Sequence, residues 1–165
     1  MFFLGDESTI TVGEGSTIGD RVMVHCSQYP KEAPTVIGKG VVVSSGAILH
    51  GCILEDGALV GEGAQVMDGA RLGKSAVVAP GSLVGIGKSV PAGQVWAGVP
   101  ARYLRDVTEA EAAKMAAVAL ENAALALEHA EENAKTWQTI EQEEYEFDQK
   151  TRRSSFYYRI LSDEV

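Results

Sequence analysis

The chain is short of basic side chains. Fourteen Lys and Arg stand against twenty-three Asp and Glu, a net charge of −9. That balance repels nucleic acid and anionic lipid, so no nucleic-acid partner is expected. No run of eighteen apolar residues exists, the length a helix needs to cross a bilayer, and no transmembrane segment is expected. Only two cysteines are present, Cys26 and Cys52, too few for a disulfide framework in 165 residues; they read as buried, reduced thiols. The opening MFFLGDEST has neither the basic and apolar regions of a secretory signal nor the Arg-rich pattern of a transit peptide. Any targeting segment lies elsewhere or has been trimmed away.

What is present is a repeat. An aliphatic residue recurs every six positions at Leu54, Val60, Val66, Leu72, Val78, Val84 and Val90, with Ala or Ser usually at the fifth place of each hexad. A short fixed period marks a solenoid, whose units hide their apolar faces only by stacking. Six residues fit one short strand and one corner. Three hexads close a triangular coil of eighteen residues, and coils stack at about 4.8 Å.

The same frame starts at Val12 and breaks after Val24, where HCSQYPKEAPT with its two prolines reads as a loop thrown out from a corner over 25–36. It resumes at Ile37 and stumbles once more at LHGCI, one residue short. Both irregularities fall beside a histidine. About thirteen hexads between Val12 and Val95 predict a little over four coils, roughly 20 Å in height, with a bare N-terminal edge.

VWAGVPARYLRDV then ends the repeat, and Thr108 with Glu111 forms a capping box before the alanine-rich stretch that follows. A helix over Glu109 to Lys135 would be about 40 Å long, longer than the prism, so it should project or reach a neighbour. Met115, Val118, Leu120, Leu125 and Leu127 are expected to pack one broad face on the prism. Thr139 with Gln142 offers a second cap for a shorter helix, and Phe156, Tyr157 and Tyr158 lie in a tail that either docks or is partly ordered. The expected organisation is a β-helix over 1–100, a connector over 101–107, helical structure over 108–150 and a tail over 151–165.

Of the three histidines, His129 sits in a charged helical stretch and reads as a solvated surface group. Stacking would bring His25 and His50 together across twenty-five residues, and two imidazoles at one corner suggest a metal. Catalytic zinc normally needs three protein ligands and an open position for water, so two are insufficient.

DESTITVGEGSTIGDRVMVH, IGKGVVVSSGAILHGCILEDGALVGEGAQVMDG and VWAGVPARYLRDVTEAE together resemble the γ-class carbonic anhydrases over about residues 4 to 112. HAEENAKT, in the long helix, resembles more narrowly the mitochondrial members that belong to respiratory complex I. The resemblance implies a left-handed parallel β-helix with a long C-terminal helix, assembled as a trimer. It further implies zinc held between subunits by two histidines of one and one of the next. His25 and His50 match two ligands; the third falls on Ser45 in SSGAILHG, where a hydroxyl is a poor zinc ligand. The family's Arg-Gly-Asp turn keeps Asp6 and loses its arginine, and its Gln-Asp pair keeps Asp20 and loses its glutamine. Asp6 and Asp20 remain candidates for contacts between subunits.

The expected function is therefore that of a structural, catalytically degenerate subunit. It would sit in a homo- or heterotrimer with other γ-carbonic-anhydrase-like subunits, on the membrane arm of complex I, at the matrix side of the mitochondrial inner membrane. One alternative is a zinc enzyme hydrating carbon dioxide at a site completed by a different neighbour. Another is a hexapeptide acyltransferase, since AGVPARYL also resembles the closing segment of those enzymes.

Overall fold

A computed structural model describes residues 2–4, 8–27 and 33–151. Its first coil is β1 (Phe2–Leu4), β2 (Ile10–Val12) and β3 (Thr17–Ile18). The second is β4 (Met23–His25), β5 (Thr35–Ile37) and β6 (Val42–Val43), and the third β7 (Ile48–His50), β8 (Ile53–Leu54) and β9 (Leu59–Val60). Then come β10 (Gln65–Val66), β11 (Arg71–Leu72) and β12 (Val77–Val78), followed by β13 (Leu83–Val84), β14 (Ser89–Val90) and β15 (Gln94–Ala97). Every third strand pairs in parallel, giving three sheets in the orders β1-β4-β7-β10-β13, β14-β11-β8-β5-β2 and β15-β12-β9-β6-β3. This is the β-helix expected from the hexads, with the left hand that the resemblance implies.

Five coils stand where a little over four were expected. β1 and most of β2 precede the first hexad: the N-terminal stretch adds a strand, pairing Phe2 with Met23 and Leu4 with His25, and β1, β2 and β3 stand at the ends of their sheets among the described residues. The repeat's regularity gives no hint of this, because MFFLGDESTIT has no hexad corner.

Packing explains the pattern. The first hexad position points inward, and Val24, Leu49, Val66, Ile37, Leu54, Leu72, Val43, Val60 and Val78 are all buried. Burying each such side chain contributes about 1.5–3 kcal/mol. The fifth position is mostly buried too, and small residues usually fill it: Ala47, Ala58, Ala64, Ala70, Ala76 and Ser82, with Val22 and Val41 in the earlier coils. Cys26 and Cys52 are buried thiols with no disulfide between them.

Register records the irregularities. Gln65 pairs with Leu83 and Arg71 with Ser89, a regular step of eighteen. Met23 pairs with Ile48 and Thr17 with Val42, a step of twenty-five that absorbs the loop. Ile48 pairs with Gln65, a step of seventeen, whereas Ile53 pairs with Arg71 at eighteen. The missing residue therefore belongs to the corner between His50 and Ile53.

After the last coil, Arg102–Asp106 forms β16, antiparallel to β15, in the stretch expected as a connector. Helix α1 (Glu109–Ala134) follows. Its expected capping box is formed: Glu111 N–H donates to Thr108 Oγ1 at 3.3 Å, and Thr108 N–H donates to Glu111 Oε2 at 3.0 Å. Arg105 adds two hydrogen bonds of 2.7 Å to the same carboxylate. Their joint effect holds the Glu111 carboxyl down at about 2, with Arg105 the larger cause. Half-buried Met115 and Val118 line a cavity of about 230 Å³ with Val42, Leu59, Val77 and Val95 of the third sheet, and Ala119 beside them is buried.

The broad apolar face expected of α1 is narrower than the leucines suggested. Leu120 and Leu127 are about 70 % exposed, because at 100° per residue they lie some 160–180° around from Val118. Leu125 shares Val118's stripe yet is 48 % exposed, so the cover fades within two turns. Residues 126–165 form a second compact unit. There α2 (Trp137–Thr151) is capped by Thr136, whose Oγ1 accepts from Thr139 N–H at 3.3 Å; the expected Thr139–Gln142 cap does not form, and Gln142 bonds Glu146 instead. His129 is exposed, as expected. Among the described residues no helix is long and apolar enough to cross a membrane. The aromatic tail, Phe156 to Tyr158, lies outside the described residues.

Candidate metal centre at a prism corner

Parallel pairing of β4 with β7 sets His25 directly opposite His50. Their rings stack with centroids 4.7 Å apart and planes at 30°, and His25 Nδ1 lies 2.9 Å from His50 Nε2. The backbone around His25 is tied down from both sides, with Thr35 Oγ1 and Gly51 N–H both donating to its carbonyl. On its other face His50 Nδ1 meets Asp68 Oδ1 at 2.5 Å, the side chains being 30 % and 24 % exposed. A carboxylate and two imidazoles thus form one column across three successive coils.

Stacking places the carboxylate. Continuing the β7–β10 register sets Met67 opposite His50, while Gly69 N–H bonds Gly51 O at 2.8 Å. Asp68 follows Met67 in the corner of the next coil, and its carboxylate lies against the His50 ring. Gly51 is held at φ +51°, and a Cβ there would stand 2.7 Å from both Asp68 Oδ1 and Ser27 Cβ. Glycine at this corner is required twice over, by its backbone and by its neighbours.

Sequence reasoning found His25 and His50 and missed Asp68. The signal was available: LHGCI lacks one residue, and Asp68 lies one regular coil of eighteen beyond His50. Ser45 stands elsewhere, in the turn entering β7, whereas His50 is the last residue of that strand. Ser45 occupies a second corner column, where Gly46 N–H bonds Asp20 O and Gly63 N–H bonds Ser45 O. Asp20, Ser45 and Glu62 follow one another there, and Asp20 is exposed. Asp6 lies outside the described residues.

Two zinc-bound nitrogens at about 2.05 Å in a tetrahedral site stand roughly 3.3 Å apart. The His25–His50 pair, at 2.9 Å, would have to open by only a few tenths of an ångström. A third donor is another matter. Among the described residues no group of three His, Cys, Asp or Glu side chains is placed to hold a metal ion. Burial pushes the Cys52 thiol up to about 12, with Asp68 adding to the shift, so it stays protonated. The described residues furnish two donors of a tetrahedral set, His25 and His50.

No protein-family model matches the chain. Among curated proteins it is 44 % identical over 162 residues to γ carbonic anhydrase 3, mitochondrial, of Arabidopsis thaliana, spanning 96 % of this chain and 62 % of that protein. It is 41 % identical over 140 residues to γ carbonic anhydrase 1, mitochondrial, of the same plant, spanning 83 % and 51 %. The chain thus spans about half to three fifths of the length of these relatives. Among solved structures, a hexapeptide transferase family protein from Anaplasma phagocytophilum superposes with a TM-score of 0.53 at 27 % identity, over 75 % of this chain and 86 % of that one. With the hexad coils alongside these identities, the chain is a homologue of proteins named γ carbonic anhydrases.

Proposed function

We propose that this chain is a structural γ-carbonic-anhydrase-like subunit of a trimer on the matrix side of mitochondrial complex I, without a complete catalytic site of its own. The observation that carries this reading is the split between the two corners. One holds a paired His25–His50, while the other presents Ser45 where the resemblance calls for an imidazole. A hydroxyl at that place does not hold zinc, so a trimer of identical chains has three half-sites. The mitochondrial address rests on the names of the relatives. The placement on complex I rests on the resemblance of the HAEENAKT stretch.

A second reading is favoured by the integrity of the histidine pair. In a mixed trimer, a neighbour with histidine in place of Ser45 would complete one interface. His25 and His50 would then hold zinc, which supplies a hydroxide for carbon dioxide hydration.

Zinc content separates the two. The structural reading expects no stoichiometric zinc and no carbon dioxide hydration, either in the purified chain or in its native assembly. It further expects zinc uptake by the Ser45→His variant of the purified trimer. Stoichiometric zinc and hydration in the wild-type chain alone would overturn it. Zinc in the native assembly only would establish the mixed site.

A further inference from the structure

A hydrogen bond between two neutral imidazoles can run in either direction. His25 Nδ1–H can donate to His50 Nε2, or His50 Nε2–H can donate to His25 Nδ1, and the 2.9 Å separation suits both equally. The two arrangements differ in consequence. In the second, the nitrogen of His50 that faces its partner carries a proton and offers nothing to a cation.

Asp68 breaks this tie. Its carboxylate, 2.5 Å from His50 Nδ1, can only accept, so a neutral His50 must carry its proton on Nδ1. We propose that Asp68 is a positioning residue that fixes His50 as the Nδ1–H tautomer, aims its Nε2 lone pair at His25, and so presets the pair to take a divalent cation. The direction of the whole column follows: Asp68 accepts from His50, and His50 accepts from His25. A cation entering between the rings then requires one change, transfer of the His25 proton from Nδ1 to Nε2. A carboxylate behind a ligating histidine also fixes its ring orientation. The placement is built into the fold, because stacking sets the corner that carries Asp68 directly after the corner that carries His50.

The cation half of this proposal rests on reading His25 and His50 as the remnant of a metal pair; the tautomer half does not. Long-range nitrogen–proton NMR of the full chain, free of metal, reads the His50 tautomer directly. Zinc titration by calorimetry, with His25→Ala as background, reads the affinity. Asp68→Asn keeps the shape and one accepting oxygen, and Asp68→Ala removes both.

Wild type is expected to show His50 protonated on Nδ1, Asp68→Asn to retain that tautomer, and Asp68→Ala to shift toward Nε2–H. Zinc affinity is expected to fall about 10- to 100-fold in Asp68→Ala and by less in Asp68→Asn. His50 protonated on Nε2 in wild type would overturn the proposal, as would an Asp68→Ala variant with unchanged tautomer and affinity. The expected tautomers with wild-type zinc affinity no better than His25→Ala would uphold the positioning role and overturn the metal reading alone.

Discussion

Two corners of the same prism, built from the same hexad, carry polar columns with opposite characters. One runs Glu14, Lys39, Asp56, Lys74, alternating in sign down successive coils. Lys39 Nζ lies 3.6 Å from Glu14 Oε2 with both side chains well over half exposed, and Asp56 accepts from Lys39 N–H at 2.8 Å. The other runs His25, His50, Asp68, half-buried and linked at 2.9 and 2.5 Å. Charge in the first column is solvated and cancels itself, while the second excludes enough water for its protons to be placed by partners. What separates them is the pair of stacked rings and the carboxylate set against them beside the short corner. The repeat supplies position, and a local departure from it supplies chemistry.

Three perturbations test this contrast. The largest effect is expected at the wall behind both columns. Leu72, fully buried, should cost about 2–5 kcal/mol on substitution by alanine, read by denaturant unfolding, because the stacked coils leave little room to collapse around the void. A loss below about 1 kcal/mol would mean that the coils relax far more than a close-packed prism allows.

An intermediate effect is expected where the prism hands over to α1. Glu111 has its folded value depressed to about 2 from an ordinary 4.5, mainly by Arg105. A depressed carboxyl contributes stability that is fully present above its unfolded value and is lost as pH falls through the folded one. Helix content at residues 109–119 should therefore decline between about pH 4.5 and 2, and Glu111→Gln should abolish that dependence. An acid transition of α1 unchanged by Glu111→Gln would assign it to other carboxyls.

The smallest effect belongs to the solvated column. Glu14→Gln should change stability by less than about 0.5 kcal/mol in denaturant unfolding, since exposed ion pairs contribute little. A larger loss would erase the distinction between the two corners.

Much of this was legible in the sequence. The aliphatic hexad position fixes which side chains enter the core, and its regularity gives sheet membership and register over 54–95. Thr108 and Glu111 announce a helix start because their bonds are local. Less legible were features that depend on what stacks above or beside them. β1 has no hexad to betray it and exists by pairing with β4. β16 reads as a connector because its partner β15 lies on the far side of Gly98, Val99 and Pro100. In α1 the helical period already sets Leu120 and Leu127 opposite Val118, and what it does not give is the exposure of Leu125 on Val118's own stripe. In the site, two histidines announced themselves by type. Asp68 looks like any hexad corner aspartate until stacking sets it against His50.

The column of His25, His50 and Asp68 crosses two junctions between coils. In a stack held together by nearest-neighbour contacts, a break propagates only as far as the next intact junction. The imidazole protons therefore report whether three particular layers of the solenoid are joined. Fraying from the N-terminal end would decouple His25 while leaving His50 and Asp68 locked, and loosening at the following junction would free His50 instead. The same three side chains that would receive a cation thus form a gauge of where along its axis the molecule has begun to unzip.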